Sequence, residues 1–197
     1  MTIRIVCGDL TTFDGDAIVN AANSMMLGGG GVDGAVHRAA GPGLKAACEH
    51  YPLIKGALGL GHGGVPTDEV RCPVGKAIPT PSFDLDCNWI IHTVAPLYDV
   101  NALRFGGQEG AHLALQREIA SCFIESLSMA GALGCDSIAF PALGCGVYQW
   151  THETVARIAL SCVKLMQSSL DVTFYLFPAD AYPIWIQVAK DLGVVID

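Results

Sequence analysis

Positive charge is scarce in this chain. Eleven lysines and arginines stand against 19 aspartates and glutamates among 197 residues, for a net charge of −8. A protein that holds nucleic acid through its phosphates carries a basic face. No segment here reads as one, so a nucleic acid is not the expected partner. Long apolar runs are also missing: none approaches the ~20 residues that cross a bilayer. The opening Met1-Thr2-Ile3-Arg4-Ile5-Val6, soon interrupted by Asp9, is too short for a secretory signal. No membrane partner is expected, and the cytosol is the expected location. The eight cysteines lack the paired spacing of a structural zinc site or a disulfide framework. Cys48-Glu49-His50 has no second half, while Cys7, Cys122 and Cys162 lie in apolar runs as small core residues do. Neither a metal nor any other cofactor is expected.

Hydrophobic residues make up 51% of the chain and charged residues only 15%, which leaves ample material for a core. With no internal repeat and no long linker, one domain spanning residues 1–197 is expected. Strand and helix signals alternate along it. Strands are expected at 3–7, 16–19, 76–80, 88–94, 137–143 and 172–177, and helices at 33–48, 110–133, 153–167 and 181–192. Residues 56–73, with several glycines and two prolines, read as a long surface loop. The alternation predicts an α/β fold, a three-layer α/β/α sandwich around a central mixed sheet, with ligands at the carboxyl ends of strands.

The most informative stretch is Asn20 to Gly41, NAANSMMLGGGGVDGAVHRAAG. Gly28 to Gly31 lie between the apolar run Ala17-Ile18-Val19 and a helix beginning near Asp33. Four glycines in a row cost extra backbone entropy, ~0.5–1 kcal/mol each relative to alanine in regular structure. Where they open a helix, they present unpaired amides and the positive end of the dipole to an anion. With so few cations, phosphate binding has to rest on such amides. Asn23 and Asp33 bracket the loop, though each type is also routine as a turn residue or helix cap. A second loop repeats the character: Ile138 to Tyr148 reads IAFPALGCGVY, a buried strand, Gly144-Cys145-Gly146 and an aromatic before the next helix. Two such loops suit the two phosphates of a diphosphate.

Other candidates carry less. Gly59-Leu60-Gly61-His62-Gly63-Gly64 satisfies the G-x-G-x-x-G spacing, but no strand precedes it and Pro66 breaks the segment after it. His92 lies inside an apolar strand and reads as a hydrogen-bonded core residue. His37 stands four residues after Asp33 on the same helix face. Trp150 and Trp185 read as packing groups. Cys145 sits on a sharp turn that also suits a nucleophile. A helix N-terminus there is expected to lower its pKa, but His152, the histidine near it in sequence, is expected to turn away.

From Gly8-Asp9-Leu10 through the Asn20–Gly41 block, Cys72-Pro73-Val74-Gly75-Lys76-Ala77, Ile90-Ile91-His92-Thr93-Val94-Ala95-Pro96 and the Phe140–Tyr148 loop, the chain resembles a macrodomain of the MacroD type. Members of that family bind ADP-ribose and often hydrolyse its esters. The resemblance implies that Asp9 accepts from the adenine amino group, that the Leu10 backbone helps place the ring, and that Phe177 stacks on it. It implies phosphate-binding amides from Gly29, Gly30, Gly31 and Val32 and from Gly144, Cys145, Gly146 and Val147. Ala22 joins the ligand-binding set, and Asn23, Asp33 and Tyr148 surround the distal ribose. The resemblance also implies that Asn23 and Asp33 are the catalytic pair. A carboxylate at a helix N-terminus is favoured as the anion, which suits Asp33 to orienting a water or a ribose hydroxyl rather than acting as a strong base.

MacroD-type proteins commonly carry serine and threonine where this chain has Gly144 and Cys145, and glycine where it has Gln149, so hydroxyl contacts to phosphate are lost here. The expected function is binding of ADP-ribose with hydrolysis of its esters: deacetylation of O-acetyl-ADP-ribose and removal of mono-ADP-ribose from Asp and Glu side chains. ADP-ribosylated proteins or O-acetyl-ADP-ribose are then the partners. The alternatives are a non-catalytic reader of ADP-ribose and a thiol hydrolase using Cys145.

Overall fold

The computed structural model of the chain describes residues 1–60, 66–98, 108–166 and 169–197. In chain order the elements are β1 (Ile3–Cys7), β2 (Ala17–Ala21), α1 (Gly31–Ala40), α2 (Pro42–His50), β3 (Ile54–Leu60), β4 (Pro66–Val70), β5 (Ala77–Pro81), β6 (Trp89–Thr93), α3 (Gln108–Ala132), β7 (Ser137–Pro141), α4 (His152–Met166), β8 (Asp171–Leu176) and α5 (Tyr182–Asp191). Six strands form one sheet in the order β1-β8-β7-β2-β6-β5. Every neighbouring pair is parallel except β5 with β6, so the sheet is mixed.

Side-chain alternation on the strands builds a separate core on each face. Ile18, Ile90, Val94 and Ala139 pack with Val36 and Ala40 of α1 and Leu44 and Cys48 of α2. Val19, Ile91, Phe140 and Phe174 pack on the opposite face with Phe123 of α3, Leu160 of α4 and Trp185 of α5. The result is the expected three-layer α/β/α sandwich. Ala17, Ile18 and Val19 are all fully buried, as a central strand covered on both faces requires.

Two local expectations need correction. The helix expected over 33–48 is two helices, because the chain turns at Gly41 and Pro42 opens α2 as its first residue. Proline has no N–H for an intrahelical bond and its ring clashes with the preceding turn, so it starts a helix readily but interrupts one. The second correction is at 56–73, where the expected loop is largely an antiparallel hairpin of β3 and β4, with Ile54 opposite Val70 and Leu60 opposite Pro66. Proline is tolerated there as the first residue of its strand. Gly59 and Leu60 of the G-x-G-x-x-G-spaced run belong to β3, and Gly61 to Gly64 lie outside the described residues. Among the described residues no helix is long and apolar enough to cross a membrane, and no three metal-ligating side chains converge.

Candidate functional site

The parallel strands β1, β8, β7 and β2 lie side by side, so their carboxyl ends share one edge of the sheet. From β1 the chain enters Gly8-Asp9-Leu10, from β8 Phe177, from β7 the second glycine loop, and from β2 the loop of residues 22–30. These segments enclose a cavity of about 450 Å³, a size within the range of small-ligand sites. Of the residues expected to bind ligand, Asp9, Leu10, Gly31, Val32, Cys145, Gly146 and Phe177 line it. Ala22, Gly29, Gly30, Gly144, Val147 and Tyr148 belong to the same loops without lining the cavity. Ala22 is buried in the core, Gly30 caps α1, and Val147 is 80% exposed.

At one side of the cavity, Oδ1 of Asp9 accepts from the Thr11 amide at 2.9 Å and the Thr11 hydroxyl at 2.8 Å, capping a 3-10 turn over Leu10–Thr12. Its Oδ2 has no hydrogen-bond partner among the described residues. Phe177 stands on the rim with 85% of its surface exposed. Its ring is therefore open to the cavity mouth rather than packed in the core.

The two glycine loops offer backbone donors. The amides of Gly30, Gly31 and Val32 at the start of α1 have no backbone partner among the described residues, as the first turn of a helix dictates. In the second loop Cys145 N–H is used internally, donating to Ala142 O at 3.2 Å. The amides of Gly146, Val147 and Tyr148 have no partner among the described residues. Gly144 lies at φ +77°, and a Cβ there would come within 2.7 Å of Trp150 Cδ1. Glycine at this position therefore serves the turn itself.

Behind the first loop lies a polar network buried between sheet and helix. Asn20 and His92 are register partners on β2 and β6. Asn20 Nδ2 donates to Asp33 Oδ1 at 2.8 Å and to His92 Nδ1 at 3.1 Å. Because Nδ1 accepts, the proton of the neutral His92 ring is assigned to Nε2, which lies 3.0 Å from Thr80 Oγ1. Complete burial, reinforced by nearby His37, pushes the His92 pKa down to about 3. Asp33, 4% exposed, occupies the third position of α1. Its Oδ2 accepts from Asn23 Nδ2 at 3.3 Å, and Nε2 of His37, one turn along the helix, is 3.6 Å from Oδ1. Burial lowers the His37 pKa against the opposing pull of Asp33.

Asn23 organises the loop as well as touching Asp33. Its Oδ1 accepts from the amides of Met25 at 3.0 Å and Met26 at 3.1 Å, and its Nδ2 also donates to Gly28 O at 3.0 Å. All four hydrogen-bonding capacities of the carboxamide are thus engaged within the fold. Tyr148 approaches the same region: burial first, then the charge of Asp33, raises its phenol pKa.

The expected lowering of the Cys145 pKa does not hold. Burial pushes the Cys145 pKa up to about 12, and α4 begins only at His152, so no helix N-terminus acts on the sulfur. His152 lines the same cavity, but its Nδ1 accepts from Trp185 Nε1 at 3.4 Å, and no hydrogen bond joins it to the Cys145 thiol among the described residues. Sequence reasoning assigned no site role to Asn20 or His152. The signal for Asn20 was available, as a carboxamide sharing a strand face with Ile18 in an otherwise apolar run. His152 carried none, because its neighbours come from α5 and from the turn after β8.

Residues 19–159 match the model of the Macro domain family. A macro domain-containing protein of Streptomyces coelicolor is 43% identical over 181 residues, covering 91% of this chain and 94% of its relative. Among solved structures, an Oceanobacillus iheyensis macrodomain with ADP superposes with a TM-score of 0.78 at 32% identity, covering 96% of this chain and 90% of that one. A Trypanosoma brucei macrodomain in complex with ADP-ribose gives 0.71 at 28% identity, covering 94% and 68%. With two glycine loops at the carboxyl ends of adjacent parallel strands and relatives matched over nearly its full length, the chain belongs to the macro domain family.

Proposed function

We propose that this protein binds ADP-ribose and hydrolyses its esters, O-acetyl-ADP-ribose and mono-ADP-ribose on aspartyl or glutamyl side chains, with residues 1–197 acting as one domain. The observation that carries the reading is the convergence of both glycine loops, Asp9 and Phe177 on one cavity of about 450 Å³. In this reading the exposed face of Phe177 stacks on adenine while the outer oxygen of Asp9 accepts from its amino group, beside the Leu10 backbone. The unpartnered amides at Gly30–Val32 and Gly146–Tyr148 receive the two phosphates, a backbone solution suited to a chain with few cations. The distal ribose then lies toward Asn23, Asp33 and Tyr148. Asp33, held by Asn20 and Asn23, orients a water or a ribose hydroxyl for attack on the ester, with phosphate charge nearby assisting. Calorimetric titration with ADP-ribose tests the binding half, with AMP and ribose phosphate as controls; no binding by folded protein removes the proposal.

One observation favours a second reading, a non-catalytic reader of ADP-ribosylated protein. The Asn23 carboxamide is fully engaged within its own loop, and Asp33 is almost entirely buried. Single-turnover release of ADP-ribose from a carboxylate-modified protein separates the two, since a reader gives none.

A further inference from the structure

We propose that His152 is a ligand-binding residue of this cavity, donating its Nε2–H to a phosphate oxygen of the nucleotide between the second glycine loop and the Phe177–Pro178 wall. The inference rests on the ADP-ribose reading above and adds a residue to it. His152 opens α4, six residues beyond Gly146, and lines the cavity together with Cys145, Gly146, Phe177 and Pro178. From the other side it is held by Trp185 of α5, and Asp180, on the turn after β8, acts on it electrostatically. It therefore bridges the two walls that the diphosphate and the adenine are expected to touch.

The tautomer follows from Trp185. An indole Nε1 can only donate, so His152 Nδ1 must accept. The neutral ring then carries its proton on Nε2, on the side of the ring away from Trp185, where it has no partner among the described residues. Burial lowers the pKa of His152 against the opposing charge of Asp180, which keeps this neutral form in place near pH 7. The ring is thus held with one N–H donor in a fixed direction before any ligand arrives, a preorganised arrangement.

The second loop is poor in side-chain donors. Gly144 has no side chain, the Cys145 thiol leans toward Leu143 O at 3.9 Å, and Cys145 N–H is already bonded to Ala142 O. Among the described residues no lysine or arginine lines the cavity. On this wall the imidazole N–H supplements the amides that begin at Gly146, and a hydrogen bond to a charged phosphate is the stronger kind.

Titrations of wild type, His152→Leu and His152→Gln with ADP-ribose, ADP and adenosine test this, with thermal unfolding of each variant alongside. The leucine variant is expected to bind ADP-ribose and ADP about five- to thirtyfold more weakly, and adenosine unchanged. The glutamine variant, which keeps an N–H donor, is expected within about threefold of wild type. Nitrogen-15 NMR of wild-type histidines gives a readout independent of any variant: His152 Nε2 is protonated in the free protein and its resonance shifts on addition of ADP. An unmoved Nε2 resonance, equal ADP-ribose affinity in the leucine variant, or an equal loss for adenosine overturns the proposal. Absence of ADP-ribose binding by wild type removes the underlying reading as well. Wild-type binding with an indifferent His152 removes this inference alone.

Discussion

Asn20 donates one hydrogen of its side-chain amide to Oδ1 of Asp33, 2.8 Å away, from a central strand to the helix that begins at the glycine loop. The other hydrogen goes to His92, so the carboxamide orientation is dictated on both sides. A flipped amide would set its oxygen against the Asp33 carboxylate and the lone pair of His92. The Asn20 oxygen, by contrast, is buried without a hydrogen-bond partner among the described residues. An unsatisfied buried acceptor costs about 1–3 kcal/mol, and the fold retains it at the residue that orients Asp33.

Replacing this amide by an isosteric acid tests the arrangement. Asn20→Asp places two carboxylates at hydrogen-bonding distance in a buried site, where one must take up a proton. Stability at pH 7 is expected to fall by about 3 kcal/mol or more, and to recover partly toward pH 5 relative to wild type. Urea denaturation at the two pH values measures it. A variant as stable as wild type at pH 7 would mean that the amide does not hold this place.

His92 gives a pH dependence of definite sign. Its folded pKa of about 3 lies below the ordinary 6.5, so between these values the unfolded chain binds the proton and the folded protein does not. The stability associated with a neutral His92 is complete above pH 6.5 and is lost as pH falls, with a slope approaching ~1.4 kcal/mol per pH unit. His37 and His152, also lowered, add slopes of the same sign. Urea denaturation from pH 7.5 to 5 is therefore expected to show a shallower decline in His92→Gln than in wild type. Parallel declines would contradict the assignment.

Phe177 separates binding from folding. At 85% exposure its side chain contributes little to the core, so Phe177→Ala is expected to change stability by less than about 0.5 kcal/mol. Loss of a stacking platform is expected to weaken ADP-ribose binding by about 1–3 kcal/mol. Calorimetry beside thermal melting gives both numbers.

The glycines divide by purpose. Gly144→Ala forces a Cβ at φ +77° into Trp150 and is expected to destabilise the fold by at least ~1 kcal/mol. Gly30 has an ordinary φ of −99° and open space around its Cβ position. Gly30→Ala is expected to melt like wild type and to bind ADP-ribose more weakly, because only a close-lying ligand needs glycine there. Unchanged affinity would place the phosphate elsewhere.

Cys145 is expected to be inert. With its pKa pushed up to about 12, its alkylation by iodoacetamide at pH 8 should lag far behind that of exposed Cys7, as followed by mass spectrometry. Cys145→Ser is expected to retain ester hydrolysis within about tenfold, ~1.4 kcal/mol in barrier. A covalent intermediate on Cys145 would restore the thiol mechanism.

Much of the protein is legible along the chain itself. Apolar runs of strand length alternating with 3.6-residue periodicity depend on neighbouring residues, so the six strands of the main sheet and the helix patterns are visible there. The glycine runs of both loops are visible for the same local reason. The hairpin of β3 and β4 is hidden by its glycines and Pro66, which signal turns unless a partner strand is known. Pro42 does carry a local signal, since a proline inside a helical pattern marks a new start, and the expectation of one helix overlooked it.

What the sequence by itself determined is the six strands of the main sheet, the scarcity of cations, and the membership of Asn23, Asp33 and the glycines in one stretch of chain. Only the tertiary structure decided which distant side chains meet. Asn20 and His92, 72 positions apart, touch because parallel pairing sets β2 and β6 in one register. His152 reaches the cavity because α4 packs against α5, which brings Trp185 to its Nδ1. Local propensity is a property of adjacent residues, whereas register and layer packing are set by the burial of whole strands and helices together. A network that crosses those layers has no signature in any single stretch of chain.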